Sequence, residues 1–122
     1  MLTKEEYAAN RKKWIEALRS GEYEQGTGHL NVGRSFCCLG VACEVASKHS
    51  VEVVLDESLR IKGDDLNAQL EVQYWLGLSG AAGEYGDQSC LVEDNDNAVK
   101  SFSEIADIIE SNPDGLWAEG TY

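Results

Sequence analysis

The sequence has one proline, one methionine and no long apolar run. A helix that crosses a membrane needs about 18 or more consecutive apolar residues, so we expect no contact with a membrane. Apolar residues make up 43% of the 122 positions, which is enough for one hydrophobic core. We therefore predict a single domain spanning residues 1–122.

The N-terminus lacks the apolar segment of a secretory leader, since residues 1–14 read MLTKEEYAANRKKW. We therefore expect the protein in the cytoplasm, where thiols stay reduced. The four cysteines are then predicted to be free and not paired in disulfides. They are Cys37, Cys38, Cys43 and Cys90.

The second part of the chain has few cations. Residues 1–50 hold seven Lys/Arg and six Asp/Glu, whereas residues 51–122 hold three and sixteen. The net charges are +1 and −13, within a total of −12. A negative field of this size repels a phosphate backbone and attracts basic surfaces. We therefore expect no direct binding of nucleic acid and a protein partner with a basic surface.

Apolar periodicity and capping signals predict four helices. The first runs from Thr3 to Ser20, and the second from Cys38 to about Ser47. The third follows Asp64 and Asp65, begins at Leu66 and stops at Gly77. The last begins at Ser101 and ends before Asn112-Pro113.

Short β-branched segments separated by glycines predict strands. One hairpin joins His29–Val32 to Arg34–Cys37 through Gly33, and a second pairs Val51–Leu55 with Ser58–Ile61. Residues 79–90 are predicted to form a loop with little order, followed by a short pairing segment at Leu91 and Val92. Residues 112–122 form a turn-rich tail that either folds back through Trp117 or frays.

These elements predict an α+β fold with about four helices around a small antiparallel sheet. The predicted core is Trp14, Leu18, Phe36, Leu39, Val41, Val45, Trp75, Leu76, Ile105 and Ile109.

The clustered cysteines suggest either a metal site or a nucleophile. Adjacent Cys37 and Cys38 do not have the spacing of a zinc site, and buried core thiols are favoured. A thiol at the start of the second helix, with His29 across the hairpin, is the best enzyme hypothesis. It lacks an identifiable orienting group, so no catalytic residue is assigned.

The acidic run of residues 93–97 resembles a calcium loop, with Glu104 eleven positions after Glu93. Ala98 stands where such a loop requires glycine, so the run is predicted to be a turn. We expect no metal and no cofactor.

The downstream carboxylates are instead the predicted surface for a partner. The candidate residues are Asp64, Asp65, Glu71, Glu84, Asp87, Glu93, Asp94 and Asp96. The alternative is a small-molecule site that sequesters a nucleotide signal in a concave, partly basic pocket. Its candidate residues are Tyr23, Gln25, Gly26, Gly28 and His29.

Several short sequence blocks, taken together in their order along the chain, form a recognisable pattern that spans most of the chain. They are Trp14 to Leu18, residues 20–25, Phe36-Cys37-Cys38-Leu39-Gly40-Val41 with Cys43, residues 75–78, Asn95-Asp96 and residues 101–110. This pattern resembles an uncharacterised group of small proteins encoded by phages, prophages and plasmids. The resemblance implies an accessory protein of a mobile element acting inside a bacterial cell, and it implies no activity.

We therefore expect a non-enzymatic acidic protein that inhibits or modulates a bacterial host or anti-phage defence protein, as an anti-CRISPR protein or a nucleic-acid mimic does. The nucleotide binder and a cysteine-dependent enzyme are the alternatives. The oligomeric state does not follow from the sequence.

Overall fold

The structure is a computed structural model and describes residues 2–97 and 100–122. Within these residues the chain forms five α-helices, one short 3₁₀ helix and two small sheets. The helices are α1 (Lys4–Arg19), α2 (Cys38–Ser47), α3 (Leu70–Leu76), α4 (Leu91–Asp96) and α5 (Phe102–Glu110), with the 3₁₀ helix at Leu66–Ala68. The strands are β1 (Glu24–Gln25), β2 (Asn31–Val32), β3 (Ser35–Phe36), β4 (Glu84–Tyr85) and β5 (Ser89–Cys90).

The sheets confirm the α+β prediction. Strands β2 and β3 form the predicted antiparallel hairpin, in which Asn31 lies opposite Phe36. Strand β1 adds to the other side of β3 in parallel, so the first sheet is mixed and has the order β1-β3-β2. Strands β4 and β5 form a separate antiparallel pair.

Helix α1 begins at the predicted capping box, in which Thr3 and Glu6 satisfy each other's backbone N–H groups. Its buried face includes Trp14 and Leu18 and packs on α2, α3 and α5. Burial of each such side chain contributes about 1.5–3 kcal/mol. In the part of the chain that the structure describes, no helix is long and apolar enough to cross a membrane.

Helix α2 is the centre of the core, and most of its side chains are fully buried. Gly40 allows this position, because a methyl group on Gly40 would lie 1.8 Å from the backbone oxygen of Leu30. The predicted core is confirmed except for Phe36 and Trp75, which are half-buried.

Two predictions for residues 51–76 were wrong in part. Val51–Leu55 and Ser58–Ile61 turn back antiparallel, but the pairing is one isolated bridge between Leu55 and Ile61 and not two strands. The third helix begins at Leu70 and not at Leu66. Asp65 instead caps the 3₁₀ helix by accepting a hydrogen bond from the Asn67 N–H.

Residues 79–92 also differ from the prediction. Residues 84–90 form the β4–β5 hairpin, although a loop with little order was expected. Leu91 and Val92 do not pair as a strand, because Cys90 caps α4 and these residues form its first turn. Asn95 and Asp96 accordingly lie in the last turn of α4, and not in a separate turn. Ala98, which decided the calcium interpretation, lies outside the described residues.

The C-terminal residues are packed on the domain, so the tail neither frays nor stays loose. Leu116 is fully buried and Trp117 is 7% exposed. The Ser79 N–H donates to the Leu116 oxygen at 2.9 Å, and the Ala118 N–H donates to the Gly77 oxygen at 2.8 Å. These bonds attach the segment to the end of α3.

Candidate functional site

The clustered cysteines build the start of α2. The Cys37 sulfur accepts the Gly40 N–H at 3.4 Å and so caps the helix. The Cys38 thiol donates to the Leu91 oxygen at 3.6 Å, and the Trp14 indole donates to the Cys38 oxygen at 2.9 Å. These thiols are therefore bonded within the core.

Burial also makes these thiols poor nucleophiles. It raises the pKa of Cys37 to about 11, and it raises the pKa of Cys38 and of Cys43. The reactive form of cysteine is the thiolate, which such pKa values suppress at neutral pH. His29, proposed as a general base, is 62% exposed, and its Nδ1 lies 2.6 Å from Oδ1 of Asp64. Among the described residues, no three His, Cys, Asp or Glu side chains are grouped to hold a metal.

The predicted nucleotide segment, residues 23–29, uses its polar groups within the fold. The Gln25 amide donates to Oδ1 of Asn95 at 2.9 Å and to the Lys100 oxygen at 2.7 Å. The Asn95 amide donates to the Gly26 oxygen at 2.8 Å, and Oδ1 of Asn95 also accepts the Cys38 N–H at 3.2 Å. This polar seam joins β1, α2 and α4, and it engages the Gln25 side chain and the Gly26 oxygen within the fold.

The other members of that segment lie outside the polar seam. The Tyr23 ring packs edge-on against Phe36, with 5.6 Å between ring centroids. Gly28 has a φ of +84°, and its left-handed conformation explains the glycine there.

The eight predicted partner-binding carboxylates lie in different environments. Asp94 is 7% exposed, accepts the Tyr85 hydroxyl and lies 3.5 Å from Nζ of Lys100. Asp94 is thus bonded within the fold and is not accessible for surface contact. Burial, with the bond to Asp94 second, raises the pKa of Tyr85 to about 12. Asp65 and Asp96 are half-buried, and Asp64, Glu71, Glu84, Asp87 and Glu93 are exposed.

Residues 51–62, which we call the acidic hairpin, are held rigidly. The buried Gln69 amide binds both arms, donating to the Val54 oxygen at 2.7 Å and the Lys62 oxygen at 2.9 Å. Its oxygen accepts the Val54 N–H at 2.9 Å. At the tip, the Asp56 carboxylate accepts the N–H groups of Ser58 and Arg60 at 2.8 and 3.1 Å. These hydrogen bonds within the protein hold the backbone of the tip in place.

The acidic hairpin exposes apolar side chains beside carboxylates. Leu59 is 79% exposed and Leu55 is 49% exposed. Glu52, Asp56 and Glu57 are also exposed, as are Arg60 and Lys62, so residues 51–62 have a net charge of −1. Leu59 has a φ of +63°, a left-handed conformation that costs a residue with a Cβ roughly 1–2 kcal/mol. A strained backbone conformation of this kind marks Leu59 as a candidate functional position.

A groove of about 860 Å³ lies elsewhere, between α1 and the C-terminal segment. Its apolar lining includes Ile15, Ile109 and Trp117, and its basic lining includes Lys4 and Lys12. We call it the α1 groove. It is concave and partly basic, as expected for a nucleotide site, but it contains none of residues 23–29.

Arg11 lies beside the α1 groove and is 8% exposed. Its Nε donates to the Leu76 oxygen at 2.8 Å, and its Nη2 donates to the Thr121 hydroxyl at 2.7 Å. The guanidinium also stacks 3.9 Å from the Trp117 ring centroid. Burial lowers the pKa of Arg11 to about 10. In residues 2–97 and 100–122, no carboxylate lies within 4 Å of this cation.

Sequence reasoning missed both the tip of the acidic hairpin and the α1 groove. The β-branched residues of Val51–Leu55 indicated a strand and gave no sign that Leu55 and Leu59 are exposed. The basic run Arg11-Lys12-Lys13 is typical of a solvent-exposed face, and this interpretation is wrong for Arg11, which is buried, whereas Lys12 is exposed.

The family described as a domain of unknown function, DUF8296, matches residues 8–113. The match includes the cysteine cluster, the acidic hairpin, and helices α2 to α5. No curated protein and no solved structure matches the chain.

Proposed function

The chain belongs to the DUF8296 family, and we propose that it is an acidic, non-enzymatic binding protein of a phage or related mobile element. Its target is a bacterial host or defence protein, reached in the cytoplasm of the host cell. It inhibits or modulates that target by covering a basic surface. The occluded surface is one that would otherwise contact nucleic acid.

The observation that carries this proposal is the acidic hairpin. It presents Leu55 and Leu59 to solvent, and Glu52, Asp56 and Glu57 are exposed in the same segment, together with Arg60 and Lys62. Protein interfaces commonly combine apolar contacts at their centre with a charged rim. A rigid element loses little conformational entropy when it binds, so more of the contact energy appears as affinity.

The remaining carboxylates add a field that favours a basic partner. Of the sixteen in residues 51–122, only Asp64, Asp94, Asp107 and Glu110 lie within 4 Å of a cationic or titratable basic group in the described part of the chain. The others keep their charge without a local ion pair. Such a field accelerates association with a basic surface and weakens with salt.

The thiols support binding over catalysis. Cys37, Cys38 and Cys43 are buried, bonded or packed in the core, with raised pKa values. Cys90 is half-buried, and its sulfur accepts the Glu93 N–H at the start of α4. A thiol enzyme would need an accessible thiolate beside a base.

The experiment begins with capture of partners from a bacterial lysate on the immobilised protein, followed by mass spectrometry. The affinity of the purified partner is then measured at increasing salt concentrations and in competition with duplex DNA and RNA. The proposal predicts a basic partner, an affinity that falls steeply with salt, and mutual exclusion with nucleic acid. An affinity indifferent to salt would contradict it.

A further inference from the structure

The α1 groove supports a second binding function, independent of the acidic hairpin. We propose that the groove binds a small organic anion whose phosphate or carboxylate lies between Lys4 and Lys12 and whose flat apolar body packs on the Ile15, Ile109 and Trp117 side. A nucleoside monophosphate is the form of this ligand that we would test first. The site differs from residues 23–29, the segment that the sequence suggested.

The charge of the groove is the first argument. Lys4 and Lys12 are exposed and line it, and neither has a carboxylate within 4 Å in the part of the chain that the structure describes. They lie eight residues apart on α1, about 12 Å along the axis at 1.5 Å per residue. Ala8 lies between them and also lines the groove. Two unpaired cations flanking a small side chain leave room for an anion.

The buried guanidinium of Arg11 strengthens this argument. It carries its charge beside the groove without a carboxylate, held by carbonyl groups at the end of α3 and by Thr121. A buried cation that lacks a counter-ion is costly, and an anion nearby lowers that cost. The acidic lining is partly neutralised, because Arg19 pairs with Glu110 at 3.1 Å. Glu16 and Asp114 remain as exposed acidic side chains on the rim.

The shape and lining of the groove indicate what the apolar body of the ligand is. Small-molecule sites have volumes of about 300–1,000 Å³, with mostly apolar walls and a few polar groups. The α1 groove, at about 860 Å³, falls in this range. Tyr122 is 69% exposed and lines it, so its ring is available for stacking on an aromatic body.

The test measures thermal unfolding and calorimetric binding with four probes: a nucleoside monophosphate, the nucleoside alone, inorganic phosphate and an aromatic carboxylate. We expect the monophosphate to raise the melting temperature by at least about 5 °C at saturation. The nucleoside and inorganic phosphate should each do much less. A matching response to the aromatic carboxylate would identify the carboxylate as the anion. No response to either organic anion, or an equal response to inorganic phosphate alone, would overturn the proposal.

Two pairs of variants locate the site. The double variant Lys4→Gln with Lys12→Gln should weaken binding of the monophosphate at least about tenfold. Its control is the double variant Arg60→Gln with Lys62→Gln, outside the groove, which should bind normally. Ala8→Trp fills the groove without changing charge and should abolish binding, whereas the exposed neighbour Ala9→Trp should bind normally. All four positions on α1 are exposed, so each variant should fold. If a groove variant and its control weakened binding equally, the ligand would not bind in the α1 groove.

Discussion

The polar seam between β1, α2 and α4 and the acidic hairpin use their side chains in opposite ways. In the seam, Asn95 and Gln25 are bonded within the protein, and the neighbouring thiols are buried. In the hairpin, Leu59 and Glu57 extend into solvent, although the backbone beneath them is firmly bonded. Cysteine and amide side chains, which suggest a functional site, are thus used within the fold here, while leucine and glutamate side chains form the exposed element that we propose to bind a partner.

The largest loss of stability is expected at Gly40, where helix α2 contacts the Leu30 backbone. Gly40→Ala places a methyl group 1.8 Å from the Leu30 oxygen, and backbone cannot easily move away inside a packed core. We expect the free energy of unfolding to fall by at least about 4 kcal/mol, measured by urea denaturation. Gly28→Ala is the control, because it meets only an unfavourable φ and open space. Equal losses at the two sites would show that close packing is not the reason for Gly40.

Asn95→Ala tests the polar seam. The change leaves the Cys38 N–H and the Gly26 oxygen without their partner in the interior, so we expect a loss of about 3 kcal/mol in the free energy of unfolding. The control is Asn97→Ala, at the exposed residue that follows α4. It should lower the free energy of unfolding by less than about 1 kcal/mol. If Asn95→Ala left the free energy of unfolding unchanged, the polar seam would not be what holds α4 against α2.

The buried thiols predict a loss of stability at alkaline pH. Below pH 9 both states keep their thiol protons, since the ordinary pKa is 9.0. Above it the unfolded chain loses protons that the folded chain retains, up to about pH 11 for Cys37. The free energy of unfolding should therefore fall by about 1.4 kcal/mol per pH unit for each such thiol.

Denaturation at several pH values, on the wild type and on Cys43→Ala, measures this slope. The variant removes one buried thiol and should show a shallower decline. A stability that stayed constant from pH 9 to 11 would mean that the thiols are accessible in the folded state.

The smallest effect on stability, with a large effect on binding, is expected at Leu59. Leu59→Gly relieves the strained φ of +63° but makes the unfolded chain more flexible, so the free energy of unfolding should change by less than about 1 kcal/mol. Binding to the captured partner should weaken at least about tenfold, because the apolar contact is lost. Leu70→Ala, at another exposed leucine on α3, is the control and should leave binding unchanged.

Much of the fold could be predicted from local signals. The capping boxes at Thr3 and Ser101 and the glycine at position 77 gave the ends of helices directly, because each is a short-range interaction. Helix α4 was missed because its cap is a cysteine, Cys90, and not one of the usual oxygen-bearing residues.

The candidate sites depend on tertiary contacts and were harder to predict. The buried Gln69 fixes the acidic hairpin from outside its own sequence, and the α1 groove exists only because residues 112–122 fold back on α1. The burial of Asp94 follows from its contacts with Tyr85 and Lys100, which sequence spacing does not reveal.

Charge reversal on the acidic hairpin tests our proposal that this hairpin binds a basic partner surface. Affinity for the captured partner is compared between the double variant Glu52→Lys with Glu57→Lys and a charge-matched control, Glu22→Lys with Glu24→Lys. All four positions are exposed. We expect the hairpin pair to weaken binding at least about tenfold and the control pair to have a much smaller effect. Equal affinities for the two variants would contradict the claim.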